Sequence, residues 1–227
     1  MIATLAATTL LAVQQPVLLQ RVFRAGDEWS RDVSLTLSSA MGDVLVTLKM
    51  SEKTLEVDGL RATVQVALGD VVVRIGENEM PTNSIAPITV RMDNRGFVLN
   101  GLPRVAGNNL SFLRYVGVLP AEALLVGKSV PISFESSDPA GTKLSGSVLL
   151  EEMKGKTAVI IVKSSLSAPG TSMPIQLSYK AWVDASSGKV KEAEGTVTDV
   201  PAMQGLEVSA IQFVIKESKG SEKERSH

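Results

Sequence analysis

The chain has 227 residues, 44% of them hydrophobic and only 4% aromatic, with a formal net charge of −1. That is enough apolar material for a substantial core, while the near-neutral balance and scarce rings argue against partners bound through a phosphate backbone or stacked bases. There is no cysteine, and the single histidine is the last residue, His227. This composition excludes disulfides, thiolate nucleophiles, a histidine-dependent triad and a histidine-ligated metal, so neither a metal nor a cofactor is expected.

Met1 to Val13 form an uncharged apolar run ahead of the first charged residue, Arg21. The run has the look of a secretory h-region, with processing expected near residues 14–16 and residues 1–15 as a signal peptide. It is shorter than the roughly 20 apolar residues a membrane span needs, so no transmembrane segment is expected. Export then follows, to a periplasmic or extracellular location.

From residue 17 to about residue 101 the pattern is β. Val17–Phe23 reads as a first strand. Gly26-Asp27-Glu28-Trp29 is a turn, and strands are expected at Arg31–Ser38, Asp43–Met50 and Leu55–Val57. Val44, Val46, Leu48 and Met50 alternate, the period of a half-buried strand. Leu60–Leu68 and Val71–Ile75 follow, divided by Gly69-Asp70 as a tight turn. Glu77–Pro87 reads as a loop, and Ile88–Met92 with Phe97–Leu99 as a hairpin closed by Asp93-Asn94-Arg95-Gly96.

Residues 102–124 break the β pattern. Leu110, Leu113 and Val116 are spaced i, i+3, i+6, which predicts a short helix over Leu110–Val116, with Asn108 or Asn109 as N-cap and Gly117 as the stop. Beyond it, strands are expected at Val130–Ser136, Lys143–Glu152, Thr157–Ser164, Ile175–Asp184, Lys189–Thr198 and Glu207–Lys216. Ala168–Pro174 reads as a loop, and 217–227 as a charged, disordered tail.

The grammar runs twice. Each half opens at a Gly turn (Gly26, Gly127) and closes in an Asp-to-Gly hairpin (Asp93 to Gly96, Asp184 to Gly188). This predicts one domain over 16–216, mainly β, with similar meander halves at about 17–104 and 120–216 and a helical junction at 105–119. The fold class expected is a strongly curved, half-barrel-like antiparallel sheet.

Three strings carry a resemblance: Gly26-Asp27-Glu28-Trp29, Met92-Asp93-Asn94-Arg95-Gly96-Phe97-Val98 and Val183-Asp184-Ala185-Ser186-Ser187-Gly188-Lys189-Val190. With them the chain resembles a broad family of bacterial secreted β proteins built from two similar halves. More loosely it resembles the LolA/LppX type of periplasmic lipoprotein carrier. That resemblance implies a curved sheet wrapped around helical segments, sheltering an acyl chain.

The chemical constellations are weak beside it. Gly127-Lys128, Gly155-Lys156 and Gly188-Lys189 lack the earlier glycine of a phosphate-cradling loop and read as ordinary turns. Glu151 and Glu152 are adjacent strand residues on opposite faces, so they do not make a hydrolytic pair. Trp29 and Trp182 read as packing residues, with a ligand-stacking pair as the sharper alternative.

The expectation is therefore an exported protein that is not an enzyme and that binds an apolar small molecule or lipid on the concave face, with Leu110, Leu113 and Val116 as candidate ligand contacts. The alternative is a structural or interaction protein of the cell envelope with a fully packed core and a protein partner there; a hydrolase ranks below both.

Overall fold

The computed structural model describes residues 15–40, 42–81, 85–100, 109–137, 140–167, 173–201 and 207–218. Nearly all of the expected signal segment and of the expected tail lies outside them. Among the described residues no helix is long and apolar enough to cross a membrane.

Twelve strands make one sheet. They are β1 (Glu28–Ser39), β2 (Gly42–Asp58), β3 (Arg61–Ile75), β4 (Asn78–Pro81), β5 (Ile85–Asp93), β6 (Val98–Asn100), β7 (Ser129–Ser137), β8 (Ala140–Lys154), β9 (Thr157–Ser167), β10 (Ile175–Asp184), β11 (Val190–Thr198) and β12 (Val208–Glu217). The order across the sheet is β6-β5-β3-β2-β1-β12-β11-β10-β9-β8-β7, with β4 paired to β3 beyond β5. The sheet is antiparallel, nearly closed and barrel-like. Followed from the other edge, it runs β7 to β12 and then β1 to β6, a meander whose two halves meet where β1 pairs with β12.

Period-2 patterning accounts for the strands and for which face is inside. In β1 the buried residues are Trp29, Arg31, Val33, Leu35 and Leu37. In β10 they are Ile175, Leu177, Tyr179, Ala181 and Val183. Trp182 falls on the opposite face, beside Lys180, whose Nζ lies 5.6 Å from its ring centre. Trp29 and Trp182 thus lie on opposite faces and form no stacking pair.

Several expected boundaries change. Asp43–Met50 and Leu55–Val57 are one strand, β2, with register shifts at Thr47/Lys49 and Thr54/Glu56. Leu60–Leu68 and Val71–Ile75 likewise fuse into β3. Gly69-Asp70 is not a turn but an irregularity within that strand, where Asp70 takes a positive φ of 50°. There β3 exchanges partners, from β5 on Arg61–Leu68 to β4 on Val72–Ile75. The expected loop Glu77–Pro87 therefore contains β4 and the start of β5.

The expected first strand, Val17–Phe23, is not a strand. Only Val17 pairs, with Leu124, and Leu19 is fully buried while Leu18 and Val22 are exposed. The segment crosses the ends of the two Asp-to-Gly hairpins instead. The Arg21 N–H donates to Asn94 O at 2.7 Å, and the Val22 N–H to Ser187 O at 2.9 Å. Each turn is held by its own aspartate: Asp93 Oδ1 accepts from the N–H groups of Arg95 and Phe97, and Asp184 Oδ1 from those of Ser186 and Ser187. Gly96 and Gly188 take φ of +87° and +67°, the left-handed values such turns require.

The junction is a 3₁₀ helix, Asn109–Tyr115, rather than an α-helix. The i, i+3, i+6 spacing is also the repeat of a three-residue turn, and of these positions Leu113 and Val116 are buried. Gly117 at φ +90° ends it. The chain from there to Val126 fills the barrel. Phe112, Leu119 and Leu124 are each 0% exposed, within the same apolar cluster as Leu35, Leu150 and Ile211 of the wall. Tyr179 fixes this plug: its hydroxyl accepts from the Gly117 N–H at 3.0 Å and donates to Tyr115 O at 3.4 Å. Across the open seam, Phe97 beside β6 stacks on Phe134 of β7 with ring centres 4.1 Å apart.

Candidate functional site

The plug does not fill the interior evenly. A second apolar cluster, Ala62, Val64, Val90, Met92 and Val98, lies on β3, β5 and β6, apart from the main core. Between the two lies a pocket. Met50, Val66, Ile88, Val90, Met92 and Val98 are the apolar lining from the sheet, and Leu113 and Val116 line the pocket from the plug. The space between atoms, mouth included, is about 490 Å³. Only about 50 Å³ of it admits the centre of a water molecule, and the smaller volume limits what enters without side-chain movement.

One side of the pocket is charged. Inward positions of β1 and β2 bring Trp29 opposite Glu52 and Arg31 opposite Met50. Arg31 thereby reaches Glu52 on the diagonal, and its Nη2 donates to Glu52 Oε1. The N-terminal segment adds Arg21, whose Nη2 meets Glu52 Oε2 at 2.6 Å and whose Nη1 lies 3.1 Å from Met92 Sδ. Arg31 lies over the Trp29 ring, 4.1 Å from its centre, and Arg21 at 5.4 Å. Trp29 is thus a platform for two guanidinium groups, a geometry that favours cations.

Glu52 is buried, and burial pushes its carboxyl up. The charges of Arg21 and Arg31, with the hydrogen bond from Arg21, outweigh that and hold it below the usual carboxylate range. Burial pulls the Arg31 guanidinium down, against the opposing attraction of Glu52. Arg114 of the 3₁₀ helix also lines the pocket and is half-buried; desolvation lowers it too. The lining therefore holds three arginines and one glutamate.

Of the expected contacts, Leu113 and Val116 lie on the pocket wall, while the side chain of Leu110 lies outside the described residues. The charged groups Arg21, Arg31, Glu52 and Arg114 were not singled out from sequence. A signal for two of them exists: Arg31 sits in the apolar parity of Trp29, Val33 and Leu35, and Glu52 in that of Leu48 and Met50.

The fold and site together define a nearly closed antiparallel barrel with an internal plug and a small cationic, apolar-walled pocket. No protein-family model matches the chain, and no curated protein matches it. Among solved structures it is similar to a putative lipoprotein from Parabacteroides distasonis, at 11% identity and a TM-score of 0.33, over 90% of this chain and 100% of that one. The functional reading does not rest on that likeness.

Proposed function

We propose that this chain is an exported, non-enzymatic binding protein, periplasmic or extracellular, that holds an apolar or amphipathic small molecule between the 3₁₀ helix and the inner face of β3, β5 and β6. The observation that carries the reading is the division of the interior into two apolar clusters with open space between them. Apolar walls with a few placed polar groups are the usual build of a small-molecule site. Titrating delipidated protein with a fluorescent fatty acid tests it. Saturable uptake at one molecule per chain is expected.

A second reading has an observation of its own. Phe112, Leu119 and Leu124 are fully buried in the same apolar cluster as the wall residues, as in a structural or interaction protein of the envelope with a packed core. Absence of saturable uptake by the wild type favours that reading.

A further inference from the structure

Among the described residues two buried side-chain groups are unmet, and both are donors: one on Arg31, which lines the pocket, and one on Trp29, whose ring lies under Arg31. Arg31 is 4% exposed and Trp29 6%. The Nε–H of Arg31 and the Nε1–H of Trp29 are both buried with no acceptor among the described residues. A buried donor left unpaired costs the desolvation of that group, and buried polar groups in folded proteins are normally paired. Arg114, on the opposite side of the same pocket, has no carboxylate partner among the described residues. Glu52 is already shared by Arg21 and Arg31. The lining thus carries more positive than negative charge, and what it lacks is an acceptor.

Resting on the binding function proposed above, we infer that the ligand is an apolar-tailed carboxylate whose head is received by Arg31 and Arg114. A planar carboxylate matches the fork of a guanidinium and accepts several hydrogen bonds at once. The 50 Å³ open to water centres is room for roughly three to five water-sized spheres, enough for such a head and the first carbons of its chain. The tail then runs out between Val90, Val98 and Leu113.

Calorimetric titration of the delipidated full chain with decanoate and with decanol separates head from tail. Trp29 fluorescence in a Trp182→Phe background gives a second readout from the ring that Arg31 covers. Decanoate is expected to bind about 10–100-fold more tightly than decanol, the worth of a charge-assisted hydrogen-bonded pair. Arg114→Gln, on a half-buried side chain with no ion pair to break among the described residues, is expected to weaken decanoate about tenfold and decanol by much less, while Arg114→Lys keeps most of the affinity for decanoate. Equal affinity for decanoate and decanol overturns the inference and leaves the binding function standing, with the donors met by water. Tighter binding of decyl phosphate than of decanoate overturns the assignment of the head. If neither decanoate nor decanol binds saturably, the binding function fails and the inference with it.

Discussion

Glu52→Gln tests whether the buried charge cluster is a structural necessity. The wild-type carboxylate joins two guanidinium groups, with side chains 12% (Arg21), 5% (Arg31) and 8% (Glu52) exposed. Replacing it by an amide keeps the volume but leaves two like charges facing each other in a poorly hydrated space. Removing one partner of a buried pair costs about 3–5 kcal/mol, a large share of the roughly 5–15 kcal/mol that holds a domain folded. With a urea slope of about 2–3 kcal/mol/M, the midpoint should fall by roughly 1–2.5 M. The pH dependence gives a second signature. Because the folded-state carboxyl lies below its ordinary value of 4.5, its contribution is complete above about pH 4.5 and declines as pH falls toward the folded-state value. Urea midpoints measured between pH 7 and pH 3.5 should show this acid loss in the wild type and a smaller loss in Glu52→Gln. A midpoint shift below about 0.3 M at pH 7 would refute the reasoning, because it would mean the arginines are hydrated well enough to need no counter-ion.

The two turn glycines should differ. Both have positive φ, but a Cβ at Gly96 would meet nothing closer than 3.5 Å, whereas one at Gly188 would lie 2.2 Å from Gln20 O. Gly96→Ala should cost about 1–2 kcal/mol, the left-handed penalty alone, and Gly188→Ala at least about twice that; equal urea midpoints for the two variants would contradict the close approach. Leu113→Ala, at a side chain 5% exposed, should lose about 2–5 kcal/mol in urea unfolding. A loss under about 1 kcal/mol would show that the 3₁₀ helix is not packed against the wall.

The strands of the second half were legible because each is bounded by a strong turn. Ile175–Asp184 is recovered residue for residue, set between Pro174 and an Asp-to-Gly turn. The long strands of the first half were cut short because Ser51–Thr54 and Gly69-Asp70 carry the composition of breaks. Tertiary pairing overrides it: Ser51, Glu52 and Lys53 lie between two partner strands, and Asp70 absorbs an irregularity where β3 changes neighbour. The spacing of Leu113 and Val116 was read as helix, and a three-residue repeat at 3₁₀ geometry has the same spacing. The charged side of the pocket was missed for a different reason. Local pattern gives the parity of Arg31 and Glu52 but not their register, and only the β1–β2 pairing together with the crossing of Arg21 makes them one cluster. Val17–Phe23 misled because one buried leucine among exposed apolar neighbours serves a crossing segment as well as a strand.

The pairing of β1 with β12 bears on how the chain is made. The first long strand has as one of its two neighbours the last, Val208–Glu217, so during synthesis β1 stands with a bare edge until the whole second half has emerged. β1–β6 and β7–β12 can each assemble from neighbours in sequence, by short loop closures that form early. The joint between them closes one of the longest loops the sequence allows, and so comes late. Until then the inner face of each half lacks its complement and is open to other chains, the condition under which β-rich intermediates aggregate. A chain linked flexibly from residue 217 to residue 15, so that the crossing segment with Leu19 and Arg21 is kept, and opened within 101–108 would follow the sheet order from one edge to the other. It would then reach the same barrel without that wait.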